Sequence, residues 1–282
     1  MKDETFESRV DGTKIFVRSW RPQRPARAVV VISHGFKAYG GLYGWAAEQL
    51  VKHGLSVYAI DHRGHGSSGG ERYEAKHVDE FVSDLDQLVD LARAREPGLP
   101  LFLLGHSAGG VIGCIYTLTH QEKLAGFLCE SFAFGVFTPR FALAALKGLS
   151  RVAPHLRVLE LKNALFSRDP AVVAALDADP QIPQQKYPAV TVAALVRATE
   201  RVRAEFERIT LPVLILHGTE DKVTEPAGSR LFHERTGSKD KALKLYEGHV
   251  HDLLADLGKE QVMADMLDWL EARLEVAPVV SA

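Results

Sequence analysis

The chain has 282 residues, 46% of them hydrophobic, enough for one large α/β domain with an inserted subdomain or for two smaller domains. Its 34 basic and 36 acidic residues leave a net charge of −2, which gives no electrostatic case for nucleic acid or an anionic membrane surface. No apolar run reaches the roughly 20 residues that span a bilayer, and Met1-Lys2-Asp3-Glu4-Thr5 lacks the apolar core of a signal peptide, so a cytoplasmic location is expected.

Strand and helix signals then alternate. Lys14 to Trp20 reads as an early strand of alternating polarity. Ala28 to Ser33 is a continuous β-branched run, as expected of a strand covered on both faces. Leu42 to Lys52 reads as helix and Leu55 to Ile60 as strand. Val78, Phe81, Val82, Leu85, Leu88, Val89 and Ala92 share one helical face, which Pro97-Gly98 ends. Leu101 to Leu104 is a strand and Val111 to Leu118 a helix; Leu124 to Cys129, Leu211 to Leu216 and Ala242 to Tyr246 are further strands. Met263, Leu267, Leu270 and Leu274 stripe a last helix, and Val276 to Ala282 reads as a tail. Cys114 and Cys129, in apolar surroundings, read as a buried reduced pair.

This alternation predicts a mostly parallel sheet with helices on both faces. The rhythm breaks between Glu130 and Leu211, which are far more widely separated than a βαβ crossover requires. The surplus carries helical patterns of its own and is read as a cap over the strand C-termini, where open α/β sheets hold ligands. Phe132, Phe134, Phe137 and Phe141 open it, followed by Leu143, Leu146 and Leu149. They suit either a small satellite core or an apolar roof over an acyl pocket.

The chemistry-bearing stretch is Leu101-Phe102-Leu103-Leu104-Gly105-His106-Ser107-Ala108-Gly109. A serine on a tight strand-to-helix turn exposes its Oγ to a histidine on one side and backbone N–H donors on the other. The chain holds a decoy, Gly66-Ser67-Ser68-Gly69-Gly70, which follows a polar loop and precedes a charged run, so it reads as a loop. The base for Ser107 is sought on the loop after a late strand, where Gly248-His249-Val250-His251 offers His249 and His251. The orienting acid is Asp221, just beyond the run Pro212 to Gly218; Glu130, closing the preceding strand, is the alternative, or a second acid shaping the pocket. The order Ser107, Asp221, histidine is that of an α/β-hydrolase. The Ala108 N–H is one oxyanion donor and the Phe36 N–H, after the strand ending Ser33-His34-Gly35, the other. Asp61-His62-Arg63-Gly64-His65-Gly66 fits no zinc-ligand spacing and reads as a tight polar loop, so no metal is expected.

Ser33-His34-Gly35, Asp61-His62-Arg63-Gly64-His65-Gly66, Gly105-His106-Ser107-Ala108-Gly109-Gly110, His217-Gly218-Thr219-Glu220-Asp221 and Gly248-His249-Val250-His251 occur in that order. Together they resemble the monoacylglycerol lipase and lysophospholipase-like branch of the α/β-hydrolases, grouped with the serine aminopeptidase-type hydrolases. The resemblance spans nearly the whole chain. It implies Ser107 as nucleophile, Asp221 as acid and His251 as base, since the family's histidine precedes an acidic or small residue and then leucines, as in His251-Asp252-Leu253-Leu254. It also implies a cap that admits lipid-like esters. Ala108 and Glu130 depart from the family, which often has Met and a small residue there.

The expected fold is thus an α/β-hydrolase fold, a mostly parallel eight-stranded sheet with an inserted helical cap. Residues 1–131 and 205–282 form the core and 132–204 the cap. The expected activity is cofactor-free hydrolysis of small carboxylic esters with an apolar acyl chain, of monoacylglycerol type. Lysophospholipase, peptidase or perhydrolase activity on the same triad are the alternatives, and an inactive binding module the weakest. Transient contact of the cap with lipid is expected; a nucleic-acid partner is not.

Overall fold

The structure, a computed structural model, describes residues 1–134 and 140–274. Among the described residues the strands and α-helices follow one another as β1 (Lys2–Glu7), β2 (Lys14–Trp20), β3 (Ala28–Ser33), α1 (Gly44–Lys52), β4 (Leu55–Asp61), α2 (Val78–Arg95), β5 (Leu101–His106), α3 (Ala108–His120), β6 (Gly126–Glu130), α4 (Arg140–Val152), β7 (Arg157–Leu159), α5 (Pro170–Ala178), β8 (Tyr187–Pro188), α6 (Ala189–Glu205), β9 (Val213–Gly218), α7 (Pro226–Arg235), β10 (Lys241–Tyr246) and α8 (Lys259–Leu274). Eight strands form one sheet in the order β1-β2-β4-β3-β5-β6-β9-β10. β1 and β2 run antiparallel to their neighbours and the rest are parallel.

The continuous apolar runs are the strands covered on both faces. β3, β4, β5, β6 and β9 are buried at every position. In β3 the faces alternate: Val29 and Val31 enter the core shared with α2, α3 and α7, while Val30 and Ile32 enter the core shared with α1 and α8. Each such side chain contributes about 1.5–3 kcal/mol by leaving water.

The eighth strand is β1, whose Lys-Asp-Glu-Thr-Phe-Glu carries one apolar residue, Phe6, so alternation could not announce it. β6 and β9 start two residues later than the apolar runs suggest. Leu124 and Leu211 are buried just ahead of the ladders, and burial pattern alone does not tell a paired residue from its flank.

Between β6 and β9 the chain passes through α4, β7, α5, β8 and α6. β7 and β8 pair as a separate two-stranded sheet. The C-terminal half of α6 returns to the main core through Ala198 and Val202, whereas Tyr187 and Val192 pack against Phe36 and Ala108. β3 connects to β4 on one side and the chain then crosses to β5 on the other, so the sheet has its topological switch point between β3 and β5. Open α/β sheets hold ligands outside the strand C-termini at such a point, and the loops after β3 and β5, which carry Phe36 and Ser107, lie there.

Candidate active site

Ser107 joins β5 to α3 with φ 55° and ψ −117°, a conformation costing about 1–3 kcal/mol. It is held by three backbone bonds: its N–H donates to Glu130 O at 2.9 Å, and its carbonyl accepts from Gly110 N at 2.9 Å and from Ala133 N at 3.3 Å. The flanking glycines are required by close approach. A Cβ at Gly105 would sit 2.6 Å from Gly109 O, and one at Gly109 would sit 2.0 Å from Ser33 O.

Three loops bring the polar groups together. The Ser107 hydroxyl donates to His251 Nε2 at 2.9 Å, and His251 Nδ1–H donates to Asp221 Oδ2 at 2.7 Å. The carboxylate can only accept, so the imidazole proton sits on Nδ1 and Nε2 is free to take one. Asp221 also accepts from the N–H groups of Val223 at 2.7 Å and Thr224 at 2.9 Å, the Thr224 hydroxyl at 2.8 Å and His217 Nε2 at 3.2 Å. Burial alone would push this carboxyl up; the charge of His251 and the hydrogen bonds of His217, His251 and Thr224 outweigh it and hold Asp221 well below the carboxylate range. His251 is fully buried and Asp221 nearly so, so water does not compete for these bonds.

Gly218 sets the approach of the last two loops, because a Cβ there would lie 2.3 Å from His249 O. His249 itself faces Asp256 at 3.7 Å, away from this chain of bonds. Among the described residues, neither the Phe36 nor the Ala108 N–H has an acceptor. Ala108 also opens the thirteen-residue helix α3, whose N-terminus favours developing negative charge. The loop carrying Phe36 is internally braced. His34 Nε2 accepts from His62 N at 2.9 Å, which leaves Nδ1–H to donate to Gly35 O at 2.7 Å.

The other motifs resolve into structure. Asp61 accepts from Gly40 N and Ser67 N, each at 2.8 Å, and pairs with Arg18; Arg63 binds Asp84 at 2.8 Å. Ser67, in the decoy motif, is exposed and meets no histidine. Phe132 and Phe134 stack on each other at 5.4 Å and pack with Phe206 inside the main core. Where they pack, these two side chains join the main core rather than a small satellite one. Phe137 and the side chain of Phe141 lie outside the described residues. Cys114 and Cys129 are buried and free.

Glu130 makes no bond to His251. Its Oε1 accepts from Leu254 N at 3.2 Å, and its Oε2, like both ring nitrogens of His106, has no partner among the described residues. His106, Glu130 and Asp252 could each offer one ligand atom to a cation, all within 4.8 Å of one another. Burial, reinforced by Asp252, pushes Glu130 well above the carboxylate range, and burial raises Asp252 to about 6. Burial also lowers His106 to about 3. At neutral pH the trio therefore favours one proton-holding carboxyl, Glu130, and a neutral ring beside an ionised Asp252, a weaker donor set than two ionised carboxylates.

Sequence reasoning missed His217, Thr224 and Ser131 as supports. Ser131, with φ 48°, donates its hydroxyl to His251 O, and His217 Nδ1 accepts from Ser229 Oγ at 2.7 Å. The His217-Gly218-Thr219-Glu220-Asp221 run was a usable signal for His217; nothing local marks Ser131.

Residues 24–258 match the family described as serine aminopeptidase, S33. The chain belongs to that hydrolase family. It is 35% identical over 267 residues to the monoacylglycerol lipase of Mycolicibacterium smegmatis, covering 94% of this chain and 95% of that one. It is 33% identical to human monoglyceride lipase over 276 residues, covering 96% and 91%. The crystal structure of Paleococcus ferrophilus monoacylglycerol lipase superimposes with a TM-score of 0.83 at 32% identity, covering 92% of this chain and 99% of that one. The fold is the α/β-hydrolase fold. Among the described residues, no helix is long and apolar enough to cross a membrane.

Proposed function

We propose that the protein hydrolyses carboxylic esters with an apolar acyl chain, monoacylglycerols among them, with Ser107 as nucleophile, His251 as general base and acid, and Asp221 as the orienting carboxylate. The observation that carries this reading is the continuous chain of bonds from Ser107 Oγ through the His251 ring to Asp221. The names of the relatives support the substrate class.

In this mechanism Ser107 Oγ attacks the ester carbonyl as its proton passes to His251 Nε2. The oxyanion forms against the N–H groups of Phe36 and Ala108. His251 gives the proton to the departing alcohol, leaving an acyl-serine. Water then loses a proton to the same nitrogen as it attacks the acyl carbon, and the proton returns to Ser107 as the acid leaves. Asp221 stays ionised throughout and stabilises the imidazolium at each stage.

Residues 132–204 form the cap in this reading, with Tyr187, Leu159, Leu161 and Val192 adding apolar surface beside Phe36 and Ala108. Exposed Val152, Leu156, Val158 and Leu165 on that segment support transient contact with lipid. The enzyme works in the cytoplasm in this proposal. Ser107→Ala is expected to abolish p-nitrophenyl ester hydrolysis with the fold intact; retained turnover refutes the assignment. A series from acetyl to palmitoyl, on p-nitrophenyl and glycerol esters, tests the acyl preference.

A further inference from the structure

Lys37, immediately after the candidate oxyanion donor Phe36, has φ 53°, a left-handed conformation that a side-chain-bearing residue keeps only when its surroundings hold it. Three bonds hold it here, all from the segment between β6 and β9. Its N–H donates to the Tyr187 hydroxyl, and its Nζ donates to Leu161 O at 2.9 Å and to Gln184 Oε1 at 2.8 Å.

The Tyr187 hydroxyl has no alternative role. His65 Nδ1 lies 2.9 Å from Arg63 O, an atom that only accepts, so the His65 proton is on Nδ1. His65 Nε2, 3.0 Å from the Tyr187 oxygen, must then accept the phenol proton. The hydroxyl therefore donates to His65 and accepts from Lys37 N–H, and cannot rotate without losing both. The ring is fixed as well: Tyr187 is fully buried, stacked on Phe36 at 4.2 Å and on Tyr73 at 4.4 Å. Burial raises its phenol well above the ordinary value, so it keeps its proton.

We propose that Tyr187 is a positioning residue for the oxyanion pocket: the cap delivers its hydroxyl to fix the Phe36–Lys37 peptide and so aims the Phe36 N–H. Removing that oxygen leaves the Lys37 N–H a buried donor without a partner. The loop relieves this by turning the Phe36–Lys37 peptide; Phe36 links that peptide to the preceding Gly35–Phe36 one, so the change in the Phe36 backbone angles carries the Phe36 N–H away from the reacting carbonyl. Catalytic power thereby depends on the seating of the cap. The inference rests on the assignment of Ser107 and the Phe36 N–H under Proposed function.

Tyr187→Phe removes the oxygen and keeps the stacked ring. With p-nitrophenyl butyrate, kcat should fall by about ten- to fiftyfold, less than the hundredfold or more that loss of an oxyanion donor costs. KM should stay within about twofold, because substrate binding does not use this oxygen. Affinity for butylboronic acid, which forms a tetrahedral adduct on serine, should fall by the same factor as kcat. A purely structural role would lower the melting temperature while leaving kcat and boronate affinity in place, and that result overturns the proposal. So does a raised KM at unchanged kcat. Lys37→Gly loosens the same loop from the other partner and should lower kcat and boronate affinity together by about fivefold; no change there also overturns it, including if Tyr187→Phe fails to fold. If Ser107→Ala stays active, the underlying assignment fails. If Ser107→Ala is inactive and Tyr187→Phe behaves as wild type, only the clamp fails.

Discussion

Substituting Gly109 by alanine tests the claim that the crossing of α3 over β3 sets the site's geometry. The new Cβ would lie 2.0 Å from Ser33 O and 2.6 Å from His34 O, both main-chain atoms of a fully buried strand end. Real Cβ atoms do not approach within 3.0 Å, so the two backbones must separate by about 1 Å. That movement acts on the segment leading into Gly35 and Phe36 and on the first turn of α3, which carries Ala108. A misplacement of about 1 Å at reacting groups costs on the order of a hundredfold in rate, and overpacking costs about 1–3 kcal/mol of stability. Steady-state hydrolysis of p-nitrophenyl butyrate and urea unfolding read the two effects separately. Gly148→Ala is the control. Gly148 is exposed in α4, and a methyl group added there would meet nothing within 4 Å, so the change should raise stability by about 0.5–1 kcal/mol and leave kcat alone. If Gly109→Ala keeps wild-type kcat and urea midpoint, close backbone approach is not what demands glycine there.

Asp221→Asn should lower kcat by about three to four orders of magnitude while KM changes little, because an amide can turn its NH2 toward His251 and favour the wrong tautomer; activity within tenfold of wild type would contradict the assignment of the acid. Glu130→Gln should stabilise the protein increasingly as pH rises. The folded carboxyl binds its proton more tightly than the unfolded one, whose reference value is 4.5, so the folded state holds the extra proton and wild-type stability is lost on going upward through that window. The difference in urea unfolding free energy between variant and wild type should be small at pH 4 and grow toward pH 7.5; a difference that shrinks with pH would show that Glu130 is held ionised.

The reaction centre was legible to the extent that its signals are local. Leu101–Leu104 followed by Gly105-His106-Ser107-Ala108-Gly109 marks a buried strand running into a turn, and the decoy at Ser67 fails because its flanks are polar. Asp221 and His251 could be sought because parallel strands end at one edge, and the loops after β9 and β10 must therefore meet the loop after β5. His249 and His251 were not separable by spacing; two residues along a loop face in unrelated directions, and only the folded chain directs one to Ser107 and the other to Asp256.

The sequence by itself determined the apolar strands and helices of the core, their order and the chemistry available at the strand ends, because hydrophobic periodicity and glycine-bearing turns are short-range properties of the chain; β1 and the β7–β8 pair, which lack that periodicity, escaped it. Tertiary structure decided the rest. It carried Phe132 and Phe134 into the main core, drew Glu130, His106 and Asp252 within 4.8 Å, and placed Tyr187 against Lys37 across 150 positions of sequence. Such contacts follow from how separate loops converge at the end of a twisted sheet, and no local pattern encodes that convergence.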